Sequence, residues 1–112
     1  MPTQDRNEAR FACLDLCDFR WSRTVAADPE GSEFAILLEI WHSGGLFQTS
    51  NAVPEHSTVT IVTGNGSVKG EVRSCEQDDY GFLVEVRVAE PQIWFPRAYQ
   101  PAYLLHRNRL AA

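Results

Sequence analysis

The stretch Glu33–Phe47, EFAILLEIWHSGGLF, constrains the fold more than any other, because it joins the longest dense apolar run to the only Gly-Gly pair. Phe34, Ala35, Ile36, Leu37, Leu38, Ile40 and Trp41 are apolar around a single acid, Glu39. Their β-branched and aromatic content predicts a buried strand, and the run is too short to cross a bilayer. His42-Ser43-Gly44-Gly45 then predicts a turn in which at least one glycine takes positive φ, and Leu46-Phe47 begins the return strand. A strand, a small polar turn and a second strand form either a plain sheet corner or a ligand-facing one, and these residues alone fit both.

With 112 residues, of which 44% are hydrophobic and 22% charged, the chain fits one domain around one core. Its formal net charge of −5 opposes a general binder of DNA, RNA or anionic membranes, whose affinity comes from Lys and Arg neutralising phosphates. Neither a nucleic-acid partner nor membrane insertion is expected. Lys69 is the single lysine among ten basic residues; the rest are arginine, whose planar fork suits bidentate contacts with phosphate or a guanine edge. MPTQDRNEAR lacks the apolar segment of a secretory leader, so a cytoplasmic location is expected. Cys13, Cys17 and Cys75 are odd in number and lack the paired short spacings of a zinc site, which predicts reduced thiols packed as small hydrophobes, with no metal and no cofactor.

Three segments follow in order. Residues 1–10 are polar and predict a flexible arm. Residues 11–90 carry strand periodicity. In the first strand Phe11, Cys13, Cys17, Phe19, Trp21 and Val25 fall on odd positions, and Leu14-Asp15-Leu16 breaks the alternation, which predicts a bulge or bend there. Asp28-Pro29-Glu30-Gly31 is a turn into the central strand, and Gln48–Ser57 reads as a loop. Val59 and Ile61 alternate with threonines, Gly64-Asn65-Gly66 closes a hairpin, and Val68, Gly70 and Val72 oppose Lys69, Glu71 and Arg73. Phe82, Val84, Val86 and Val88 alternate with Leu83, Glu85 and Arg87 after a turn at Tyr80-Gly81. These short strands predict an all-β fold, a small antiparallel six-stranded barrel whose interior holds Ile36, Leu38, Val59, Ile61, Val72, Val84 and Val86. Residues 91–112 form a C-terminal extension, in which Pro101 and the spacing of Tyr99, Tyr103, Leu104 and Leu105 predict a short helix.

An arginine pair four apart in RNEAR, Arg6 and Arg10, precedes a strand that ends in Gly44-Gly45-Leu46-Phe47; a hairpin with Gly70-Glu71-Val72 and a last strand Gly81–Val88 follow. In that order, over nearly the whole chain, these features resemble the PilZ domains, small six-stranded barrels that receive the bacterial second messenger cyclic di-GMP. The resemblance implies that Arg6 and Arg10 wrap the ligand, meeting guanine edges and phosphates through charge-assisted bonds, against a corner made by Glu39, Trp41, His42, Ser43, Gly44 and Gly45. The second family motif, Asp or Asn, any residue, Ser, two more, then Gly, is not kept. Set on Gly45, its acid and serine positions hold Ile40 and His42; set on Gly44, they hold Glu39 and Trp41. Losing one good bidentate contact costs about 1–3 kcal/mol, so weakened binding is implied.

The resemblance therefore implies a regulatory domain and not an enzyme: cyclic di-GMP orders the arm and changes a surface offered to an effector protein. The alternative is a divergent PilZ-like interaction module that no longer binds nucleotide and works through the aromatics Trp94, Phe95, Tyr99 and Tyr103. On the residues themselves, Trp41 is a core aromatic or a stacking platform, His42 a turn residue or a ligand, and Glu39 a solvent-facing acid or a functional one. No recognised nucleophile motif stands among the Cys, Ser and His residues.

Overall fold

Seven strands account for the regular structure in the computed structural model, which describes residues 9–24, 29–63, 66–90, 94 and 103–107. They are β1 (Phe11–Ser22), β2 (Gly31–Trp41), β3 (Gly44–Thr49), β4 (Thr58–Thr63), β5 (Gly66–Asp78), β6 (Gly81–Val88) and β7 (Tyr103–Arg107). All pairings are antiparallel, in the order β2-β3-β6-β5-β4-β1, and β1 pairs back with β2. The first six strands thus close into a barrel, the all-β architecture expected from the alternation. No helix among the described residues is long and apolar enough to cross a membrane.

Closure depends on β1 bending. One edge of β1 follows β2 from Phe11 to Trp21, and the register slips between Ala12 and Asp15, where the sequence breaks its alternation. The extra residue of a bulge adds local twist and lets a long strand wrap around a small barrel. Similar slips lie between Leu37 and Glu39 on β2 and between Val72 and Ser74 on β5.

The core follows the expected faces on β4, β5 and β6, where Val59, Ile61, Val72, Val84 and Val86 are buried. On β2 the faces are reversed: Ala35 and Leu37 are buried, Leu38 is half-buried, and Ile36 is 38% exposed. The strand pairing accounts for the reversal: Ala35 lies opposite the buried Cys17 and Leu37 opposite the buried Phe47, whose ring is 5.3 Å from that of Phe19 at 58°. After the β2 slip the parity changes, and Ile40 and Trp41 are buried in succession.

The C-terminal segment also differs from expectation. Residues 103–107 are a strand, not a helix. The reason is the second edge of β1, where β4 pairs only with Asp18–Ser22. The backbone groups nearer the N-terminus would otherwise lack partners, and β7 pairs there, with Leu14 opposite Tyr103 and Phe11 opposite Arg107. Of the other residues of the expected extension, only Trp94 lies within the described residues; it is fully buried in the core, not exposed as the interaction alternative supposed.

Candidate functional site

The β2–β3 hairpin turns through His42 and Ser43 alone, with Trp41 and Gly44 as its closing pair. Neither Gly44 nor Gly45 has positive φ; among the described glycines only Gly66 and Gly81 do. Their requirement is close approach. A side chain on Gly44 would collide with the Val86 carbonyl oxygen and come within 3.1 Å of the Trp41 indole nitrogen. One on Gly45 would press Leu37 at 3.0 Å and Phe47 at 3.2 Å. The Gly44 carbonyl accepts a hydrogen bond from the indole N–H of Trp94 at 2.8 Å, so the extension is fastened to the hairpin by a buried aromatic.

Arg10 precedes β1, and the pairing of Phe11 with Ile40 sets it beside the end of β2. Its guanidinium carbon lies 3.9 Å from the ring centroid of Trp41, and its Nη1 is 3.5 Å from Glu39 Oε1. Stacking of this kind contributes about 0.5–2 kcal/mol, rising with desolvation, and a partly exposed ion pair about 0–1 kcal/mol. The side chains of Arg10 and Glu39 are 24% and 20% exposed, so water still reaches the pair. Trp41 itself is only 2% exposed. It is therefore a core aromatic with Arg10 laid over it.

Of the residues expected at the corner, Arg10, Glu39 and Trp41 come together, and Gly44 and Gly45 frame them. His42 is exposed at the turn; Ser43 is half-buried and its carbonyl accepts the Val88 N–H at 2.8 Å. Arg6 lies outside the described residues. Ile40 is fully buried whereas Glu39 reaches solvent, so only the setting of the acid position on Glu39 puts a carboxylate at the surface. Beneath the corner, Cys13 donates its thiol to the Leu37 carbonyl at 3.7 Å. Burial, and after it the charges of Asp15, Cys17 and Glu39, push that thiol up to about 12, which leaves it protonated and unreactive. All three cysteines are free, as expected, and among the described residues no three His, Cys, Asp or Glu side chains gather as a metal site.

Sequence reasoning missed the bracing role of Trp94. A lone tryptophan among prolines reads equally as an anchor or an exposed contact, and only the bare backbone at Gly44 identifies its acceptor. The chain matches no protein-family model, and no curated protein or solved structure is significantly similar to it.

Proposed function

We propose that the protein is a PilZ-like regulatory domain of the cytoplasm that receives cyclic di-GMP through Arg6 and Arg10, the arm becoming ordered over the β2–β3 corner. One observation supports this reading above the others. Arg10 meets the acid Glu39 and the ring of Trp41 at the strand end beside Gly44-Gly45, the corner at which the resemblance puts the ligand. A guanidinium held by its face keeps its in-plane N–H groups for phosphate oxygens or a guanine edge. Ligand contact then competes with Glu39 for Arg10, and the serine of the family motif is missing, so the affinity is expected to be weak and the discrimination among guanine nucleotides poor.

Calorimetric titration of the wild type, Arg6→Ala and Arg10→Ala with cyclic di-GMP tests the reading. Each arginine variant is expected to bind at least about tenfold more weakly, and salt to weaken what remains. Equal binding by all three would remove the site, and no heat at millimolar ligand would remove the receptor reading. Restoring the motif through Ile40→Asp is not a usable control, because that carboxylate would enter the core unpaired.

The interaction-module reading keeps one supporting observation. Leu16 and Ile36 are cross-strand partners on the outer wall, with Phe34 diagonal to Leu16, and Leu16 and Phe34 are 62% and 70% exposed. Loss of effector binding in Phe34→Ser with cyclic di-GMP binding absent throughout would favour it.

A further inference from the structure

Ser43 also belongs to a cleft of about 610 Å³, whose other walls carry Arg23, His56, Thr58, Glu71 and Arg87. Arg87 is central to it: on β6 it pairs with Gly44 of β3 on one side and with Glu71 of β5 on the other. It is exposed and makes no ion pair among the described residues, even though Glu71 is its direct cross-strand partner. The Glu71 carboxylate lies instead 3.4 Å from His56 Nδ1. His56 adopts a φ of 70°, the only left-handed backbone of a non-glycine residue among those described. Strain of this kind persists only where neighbouring bonds impose it, and here the His56 N–H donates to the Val72 carbonyl at 2.8 Å while the Val72 N–H donates to the Ser57 carbonyl at 2.9 Å. The imidazole is thereby placed beside Glu71, where it competes with Arg87 for the carboxylate. At the cleft floor, a side chain on Gly70 would strike the Arg87 carbonyl, so the backbone there stays bare.

We propose that this cleft binds a phosphorylated small molecule, with the phosphate on Arg87, Arg23 as the second cation, and Glu71 accepting an N–H or O–H from the rest of the ligand. Arg23 and Arg87 line the cleft with Glu71; Arg23 pairs with Glu30 and Glu71 has a histidine neighbour, so Arg87 is the cation without an ion pair among the described residues and an anion is favoured there. Arg23 is oriented by its 2.8 Å bond to Glu30, which leaves its other N–H groups as donors. The volume fits a nucleotide-sized ligand, since small-molecule sites occupy about 300–1,000 Å³. The net charge of −5 disfavours a long polyanion in the same place. The inference does not rest on the cyclic di-GMP reading, because the cleft and the Arg10 corner share only Ser43 among the residues expected at the corner.

The test is a ¹H–¹⁵N NMR titration of the full chain with inorganic pyrophosphate, repeated with GMP. Saturable shifts are expected at Ser43, Thr58 and Arg87, weakened at least about tenfold in Arg87→Gln and unchanged in Arg10→Gln. Arg87→Lys, which keeps the charge, is expected to bind more tightly than Arg87→Gln. GMP is expected to bind more tightly than pyrophosphate in the wild type, and that advantage to vanish in Glu71→Gln. Unsaturated shifts with both ligands, equal affinity in wild type and Arg87→Gln, or shifts that follow Arg10 would overturn the proposal. Arg87 is exposed, and an unchanged spectrum outside the cleft verifies that the variants are folded.

Discussion

The two flanks of the β2–β3 turn put arginine to different uses. At the corner, Arg10 is already engaged by Trp41 and Glu39, so a ligand there must share or displace contacts that the fold has made. In the cleft, Arg87 stands opposite an acid that the fold has turned toward His56, so a ligand there finds a cation with no ion pair among the described residues. A charge used by the fold stabilises it and meets ligand at a cost; a charge held apart contributes little to folding and is ready for an anion.

Substitutions can break or sharpen that contrast. The largest effect is expected from the brace behind the corner: Trp94→Ala removes a fully buried indole and its bond to Gly44, and should destabilise by about 3–5 kcal/mol in urea unfolding. Truncation after Glu90 removes β7 as well and should cost at least as much; an intact barrel with unchanged stability would show that the extension does not complete the fold. Gly44→Ala comes next, at about 1–3 kcal/mol or more, because the new methyl meets a backbone carbonyl that cannot swing aside. Arg10→Ala should cost about 1 kcal/mol. Arg87→Gln should leave stability within about 0.5 kcal/mol. Equal losses for Arg10→Ala and Arg87→Gln would erase the distinction between the two flanks.

The smallest effect depends on pH. Glu30 titrates below its ordinary 4.5, first because the Arg23 backbone N–H bonds to it and then because the Arg23 side chain does. A carboxylate with a depressed folded pKa lends stability that is present above the unfolded value and lost as pH falls through the folded one. Glu30→Gln should therefore slightly lower the melting temperature at neutral pH, and its difference from the wild type should close as pH falls below 4.5.

Much of this barrel is legible from alternation, and the exceptions have local causes. The valines of β5 and β6 lie inside as read, and the disturbance near Leu14 is where the register slips. β2 misleads because Ile36 and Leu38 look more like core than Ala35 does; the facing is set by the register that puts Ala35 opposite Cys17 and Leu37 opposite Phe47, which no local pattern reveals. The C-terminal segment misleads because its apolar spacing also fits a helix, while the edge of β1 that recruits it as a strand is known only once β4 is seen to stop at Asp18. At the corner, Arg10 and Glu39 were legible as types, but their meeting depends on barrel closure through Phe11 and Ile40. Arg87 reads simply as an outward residue of β6, and its standing opposite Glu71 without pairing is a property of the assembled sheet.

The indole N–H resonance of Trp41, assigned through Trp41→Phe and followed by ¹H–¹⁵N NMR during a titration with cyclic di-GMP, tests the corner most directly. If the ligand engages Arg10, the charge over the Trp41 ring shifts, and that resonance should move saturably in the wild type and stay still in Arg10→Ala. A Trp41 resonance that does not move while calorimetry records cyclic di-GMP binding would contradict the corner as the receptor site.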